Sequence, residues 1–433
     1  MSSEYTSTER VVASPRSGES AIAPAAVPAA AAGAQWRALA WLSLGELLML
    51  SPWFSASAVL GALVREWHLG GTAQAGITGA VQIGFILGTL LSAVLNLPDV
   101  FSPRLLMAAS AALAAVANGL FALRADGVAS ALLLRAATGF FLAGVYPPAM
   151  KVVATYFREG RGLAIGILIG ALTVGSACPH LIRGLTSLPW RDTLLAASVL
   201  TLIGGAVVLL FVGEGPYRFP AARFDARMAA AVFRERAPRL ACLGYFGHMW
   251  ELYAMWAWIG VFLLESLRAG HGATYLGANA STATFLVIAV GALGCYLGGL
   301  ASDAWGRTAL TIVAMSVSGL SALFIGLTFG GPPWLTLTVA AVWGVAIIAD
   351  SAQFSTAVTE LSPAAYVGTA LTTQTCAGFA LTMASIWMVP LAVRLLTWRW
   401  AFATLAVGPA LGVAAMARLR GAPEASKMAG GRR

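Results

Sequence analysis

The chain has 433 residues, 59% hydrophobic and only 10% charged, with a mean hydropathy of +0.79. Soluble proteins carry about 25% charged residues, so lipid rather than water is the solvent this composition suits. The net charge of +9 does not indicate nucleic acid, because Lys and Arg sit mainly between apolar runs and form no basic stripe with interleaved aromatics.

Cys178, Cys242, Cys295 and Cys376 all fall in apolar runs without CxxC spacing, and the four histidines are scattered. Neither a disulfide framework nor a metal or other cofactor is expected. Residues 1–35 are rich in Ser, Ala and Pro. Pro24 and Pro28 interrupt the alanine run, and no basic start precedes an unbroken apolar stretch. The segment reads as a disordered cytoplasmic tail rather than a cleaved signal.

A membrane span needs about 20 mostly apolar residues. Twelve such stretches follow in chain order: residues 38–60, 73–95, 103–123, 129–156, 161–183, 192–213, 239–265, 277–301, 308–329, 334–357, 366–391 and 397–417. They divide into an N-terminal bundle of six (36–213), a linker (214–238), a C-terminal bundle of six (239–420) and a tail (421–433). With both termini inside, 19 Lys and Arg lie on the cytoplasmic side and 7 outside, with Arg135 within a span. The positive-inside rule therefore predicts cytoplasmic termini. The linker carries Arg218, Arg223, Arg227, Arg234, Arg236 and Arg239, as an inside loop should.

The two halves share a motif. Asp99-Val-Phe-Ser102-Pro-Arg104 follows span 2, and Asp303-Ala-Trp-Gly306-Arg307 follows span 8. The second copy, within Gly-Gly-Leu-Ala-Ser-Asp-Ala-Trp-Gly-Arg, resembles the cytoplasmic loop signature of the major facilitator superfamily. The first copy has Ser102 where that signature has glycine. Arg135-Ala-Ala-Thr-Gly139 and Tyr146-Pro147-Pro148, followed by Arg158-Glu-Gly-Arg161-Gly162, also look like that family. The resemblance spans residues 36 to 420. It implies an all-α membrane protein, with 12 transmembrane helices in two pseudo-symmetric six-helix bundles around a central cavity. It also implies that Asp99, Arg104, Asp303, Gly306 and Arg307 belong to gating loops. Such proteins usually act as monomers, and the compact loops suit a bacterial inner membrane. The proline pair in span 4 predicts a kink there. Span 5 reads Gly166-Ile-Leu-Ile-Gly170-Ala171 where many proton-driven drug exporters of the family carry Gly-Pro. Spans 2 and 8 lack the arginines of its nitrate carriers.

Small residues recur every four positions at Ala80, Gly84 and Gly88, at Gly162, Gly166 and Gly170, at Gly294 and Gly298, and at Ala380 and Ala384. Such stripes let helix backbones approach closely. In the resembled fold, spans 2 with 11 and 5 with 8 make the contact between halves, so the stripes are expected there.

Charges within spans are costly and usually functional. Glu46 lies in span 1, Arg135 in span 4, Glu251 in span 7 and Asp350 in span 10, the four helices that line the cavity in the resembled fold. Ser43, Glu46 and Trp53 share a helical face, as do Gly244, His248, Glu251 and Met255; Asp350 and Gln353 are three apart, and Gln374 adds a polar group in span 11. A carboxyl or imidazole in a low-dielectric cavity can exchange protons near neutral pH. Glu46 and Glu251 are the proton-coupling candidates, with His248 beside them. Arg135 offers an anion site or a carboxylate partner, Asp350 a gate, and Tyr253 and Trp256 substrate contacts. The expected function is secondary active transport of a small organic solute, an anion or metabolite being favoured, with protons as the candidate coupling ion. A drug or metabolite exporter and a transport-inactive receptor of the same fold are the alternatives. No P-loop and no catalytic cluster is visible, so neither an ATP-driven pump nor an enzyme is expected.

Overall fold

The computed structural model describes residues 29–157, 160–186, 188–217, 229–271, 277–363 and 367–432. Most of the N-terminal tail, Arg158 of the span 4 motif, and Arg218, Arg223 and Arg227 of the linker lie outside them.

Among the described residues, every regular element is helical. The first half comprises α1 (Ala29–Met49), α2 (Ser55–Trp67), α3 (Gly71–Val94), α4 (Leu97–Val100), α5 (Pro103–Arg124), α6 (Val128–Leu142), α7 (Tyr146–Tyr156), α8 (Arg161–Leu185) and α9 (Trp190–Phe211). The second comprises α10 (Ala231–Arg234), α11 (Arg236–His271), α12 (Gly277–Ala289), α13 (Gly291–Trp305), α14 (Arg307–Phe324), α15 (Pro333–Ala349), α16 (Ser351–Leu361), α17 (Val367–Ala401) and α18 (Val407–Arg420). Among the described residues, ten stretches are long and apolar enough to cross a membrane. One of them, Val367–Arg420, is 54 residues long and covers both of the last two expected spans. Its helix is interrupted at Thr397, which has a left-handed φ of 60°. The first expected span is covered by α1 and α2, which are not among the ten.

Several expected spans are broken, each for a local reason. Between α1 and α2 lies Leu50–Phe54, containing Pro52, which has no backbone N–H to continue the ladder. Between α6 and α7 lie Ala143–Val145, immediately before the Tyr146-Pro147-Pro148 helix start, the place where a proline pair disfavours helical residues ahead of it. Between α15 and α16 the single residue Asp350 departs to φ −94°, ψ −9°.

In the first half, α3 packs on α6, and α9 on α1 and α5; in the second, α11 packs on α17 and α18, and α15 on α13 and α14. The halves meet where α8 lies against α12 and α13, and where α3 lies against α17. The small-residue stripes do not all face these seams. A Cβ on Gly166 would overlap the Cys295 carbonyl and one on Gly170 would touch Ala292, so the α8 stripe does lie on a seam between halves. A Cβ on Gly84 would instead strike Ala136 of α6, and on Gly294 or Gly298 the Val345 or Ala349 carbonyl of α15. Those glycines serve packing within each half. Larger side chains fill the other seam: Met383 and Trp387 lie over Gly79, and Phe85 packs against Phe379 with the rings tilted and their centroids 4.6 Å apart.

Candidate functional site: a ring cluster between two sets of buried charge

The break after α1 turns Trp53 and Phe54 inward. Trp53 lies 5.1 Å from Phe85 of α3, 5.7 Å from Tyr253 of α11 and 5.8 Å from Phe379 of α17, centroid to centroid. Tyr253 lies 4.9 Å from Phe379 and 5.7 Å from Trp256. These rings come from both halves of the chain. The indole N–H groups of Trp53 and Trp256 are buried without a hydrogen-bond partner.

Glu46, one turn before the break, is completely buried, and neither carboxylate oxygen has a partner. Tyr146, at the start of α7, lies within electrostatic range of Glu46 and of Tyr253. Gln374 of α17 is also fully buried, with both ends of its amide unsatisfied. An unpaired buried polar group costs about 1–3 kcal/mol, so this set of groups is arranged for something other than stability.

Arg135 is committed. From α6 its Nη1 donates to the Pro52 carbonyl at 2.9 Å and to Ser55 Oγ at 3.3 Å, and its Nη2 donates to the Trp53 carbonyl. The guanidinium thus satisfies carbonyls at the break in span 1; a forked cation suits that task and an ammonium does not. Its Nε alone has no partner.

In the second half, Glu251 accepts from Ser318 Oγ at 2.6 Å and from Trp343 Nε1 at 2.7 Å. His248 Nδ1 lies 2.9 Å from Asp350 Oδ1, and both side chains are at most 2% exposed. The contact lacks aligned hydrogen-bond geometry, and both Asp350 oxygens and His248 Nε2 are otherwise unpartnered.

At one end of the molecule, Gly306 takes φ 86°, a conformation that favours glycine, and so joins α13 to α14. This aims Arg307 at Glu360 of α16. Nε and Nη2 of Arg307 donate to the two Glu360 oxygens at 2.9 and 2.8 Å, and Nη1 donates to Gln353 Oε1 at 2.7 Å. Asp303 is exposed, but its Oδ1 lies 3.6 Å from where a Cβ on Gly162 would sit, at the start of α8. The second loop motif therefore touches the opposite half. Arg104 is exposed at the start of α5, and Asp99 falls in α4, its side chain outside the description.

The sequence profile of the Major Facilitator Superfamily matches residues 42–386. The chain belongs to the major facilitator superfamily. It is a multi-pass membrane transporter and not an enzyme. No curated protein matches it by sequence. Solved structures share its fold at low identity. A D-xylose–proton symporter superposes with a TM-score of 0.70 at 15% identity, covering 90% of this chain and 99% of that one. The human organic anion transporter MFSD10 gives 0.66 at 16%, with 88% and 99% covered. The nucleoside transporter NupG gives 0.65 at 14%, with 88% and 99% covered.

Within this superfamily member, the structure draws Tyr253 and Trp256 into the ring cluster and gathers His248, Glu251 and Asp350 into one polar group. Gln353 stands apart from that group, on the Arg307 latch. Sequence reasoning did not single out Phe85 and Phe379, which complete the rings, or Ser318 and Trp343, which hold Glu251. Glu360 was also missed, although it lies seven residues after Gln353 and therefore on the same helical face.

Proposed function

We propose that this chain is a secondary active transporter that moves a small organic solute by alternating access, its two six-helix bundles (36–213 and 239–420) rocking about the ring cluster. In this reading, α1 with α2, α6 with α7, α12 with α13 and α15 with α16 each form one broken span, and Thr397 divides the last two. Twelve spans result. Both termini are cytoplasmic, the location is the cytoplasmic (inner) membrane of a bacterium, and the protein works as a monomer in the lipid bilayer.

The observation that carries the reading is the set of buried, unpartnered polar groups: both Glu46 oxygens, the Gln374 amide, and the indole N–H groups of Trp53 and Trp256. A solute that supplies their partners would relieve the cost of leaving them unsatisfied. Aromatic faces attract apolar bodies and cations, and the uncommitted charge is a carboxyl. The favoured solute therefore has an apolar or aromatic body and a neutral-polar or cationic end. Such a solute suits uptake of a metabolite and also export of a drug-like amine. An organic anion is the second reading, supported by the one N–H of Arg135 left without a partner.

Thermal unfolding of the purified protein with a panel of aromatic amines, quaternary ammonium compounds, nucleosides, sugars and carboxylates tests this, because a ligand of the folded state raises the melting temperature. Stabilisation by amines that is lost in Glu46→Gln is the expected result. Stabilisation by carboxylates alone would reverse the charge assignment. Uptake of the stabilising compound into proteoliposomes separates a transporter from a receptor, which would bind it without moving it.

A further inference from the structure

The residues after α18 are mostly small and polar: Gly421-Ala-Pro-Glu-Ala-Ser-Lys-Met-Ala-Gly-Gly-Arg432. Little in that composition drives burial, and a segment beyond the last helix is ordinarily loose unless something ties it down. Here it is tied down. Pro423–Lys427 and Ala429–Gly431 form two short 3-10 turns, a conformation in which residues three apart share a face. Ala422, Ala425 and Met428 have that spacing, and each is fully buried. Ala425 and Met428 join the main hydrophobic core, and the first turn packs on α16 and α18.

The turns bring polar contacts to the second loop motif. The Ala429 N–H donates to Glu360 Oε2 at 3.2 Å, the oxygen that also accepts from Arg307 Nε at 2.9 Å. Nη1 of Arg432 donates to the Asp303 carbonyl. At the root of the segment, Arg420 Nη1 donates to Thr308 Oγ1 at 3.4 Å, in the first turn of α14. The segment thus reaches α13, α14 and α16, the helices that carry the motif and its acid. Asp303, Ser302 and Arg307 also lie 3.6, 3.7 and 3.9 Å from where a Cβ on Gly162 would sit. The motif is therefore held by α8 of the first half and by residues 421–432 of the second.

Holding the segment there costs backbone strain. Ala429 takes φ 49°, followed by Gly430 at 65° and Gly431 at 93°. Glycine accepts this left-handed run, whereas alanine is disfavoured in it. Such a residue persists only where its surroundings outweigh the cost, here through the Glu360 hydrogen bond and the buried Met428 beside it. The chain after α9 turns back on its own half in a similar way, with the Tyr217 N–H donating to the Thr155 carbonyl at 3.0 Å. In the second half, the contacts include the loop motif itself.

We propose that residues 421–432 are a built-in strap that holds the second loop motif against α8 and so restrains separation of the two halves at this end. Without the strap, Arg307 keeps both Glu360 oxygens, so the latch persists. The Asp303 loop is then held from fewer sides and parts from α8 more often, a local opening rather than unfolding. That such opening serves a transport cycle rests on the transporter reading above; the restraint itself does not.

The test is the rate at which a maleimide labels Gly162→Cys in the full-length protein in phospholipid nanodiscs, without solute. Gly162 is buried against the loop, whereas Cys242 is buried within the second half and reports unfolding. Truncation after Arg420 should speed labelling at 162 by about fivefold or more, the equivalent of one net hydrogen bond, with Cys242 still protected. Unchanged labelling at 162 in the truncated protein would overturn the strap. If truncation exposes Cys242 as well, two point variants decide. Arg432→Ala removes the contact to Asp303 and should speed labelling at 162. Ala429→Gly relieves the left-handed alanine, tightens the strap and should slow it by about twofold. Failure of these two variants to move in opposite directions would equally overturn it. Because no solute is needed, this result stands apart from the flux measurement that tests the transporter reading.

Discussion

The break between α1 and α2, five residues around Pro52, and the break between α15 and α16, the single residue Asp350, are closed by opposite chemistry. Freed backbone groups inside a membrane protein must find partners. At the first break the partner is a cation, with Arg135 taking the Pro52 and Trp53 carbonyls. At the second, an acid occupies the break itself, and Asp350 faces His248 with oxygens to spare. A guanidinium keeps its charge at any accessible pH, so the first break is a fixed fitting. The first break is thus closed by a fixed cation, and the second carries an acid whose oxygens have no hydrogen-bond partner.

The largest effect on this contrast should come from Arg135→Ala. It leaves buried carbonyls without donors and should lower stability by about 3–5 kcal/mol, read as a fall in melting temperature in detergent. Arg135→Lys should recover only part of the loss, because an ammonium cannot fork to two carbonyls. A wild-type melting temperature in Arg135→Ala would mean that the clamp does not hold the break.

Next come the glycines, which separate packing within a half from packing between halves. Gly84→Ala forces a Cβ into Ala136 and should cost about 1–3 kcal/mol by overpacking. Gly166→Leu crowds the α8–α13 seam instead. It should reduce crosslinking between cysteines placed at positions 162 and 303 while each half stays folded. Equal crosslinking in both backgrounds would show that this seam tolerates separation.

Arg307→Ala tests the latch. Glu360 is partly exposed at 24%, so solvent screens the pair and the loss in stability should be about 1 kcal/mol. The clearer signal is faster thiol labelling of a cysteine at position 162. The smallest change in stability belongs to Glu46→Gln. It replaces an unpartnered carboxyl by a neutral amide, so the melting temperature without solute should hold or rise slightly. A large fall would show that Glu46 supports the fold through a partner.

The sequence by itself determined that the chain is helical and membrane-spanning, which family it belongs to, and where charge is buried. Those properties are local: apolar run length decides spans, Pro52 and the Pro147-Pro148 pair mark two of the breaks, and a loop motif is contiguous. It also placed small residues at helical spacing, yet not the neighbour they serve. Gly84 and Gly166 look alike in sequence, but one faces its own half and the other faces across the seam. Partner choice was decided only in three dimensions. Arg135 and Pro52 are 83 residues apart, and Trp343 and Glu251 are 92 apart. A side chain's periodicity fixes the face it occupies, while the helix that lies against that face depends on how the whole bundle packs. For this reason the sequence could offer Arg135 as an anion's partner, and only the tertiary structure could turn its guanidinium to the carbonyls of a broken helix.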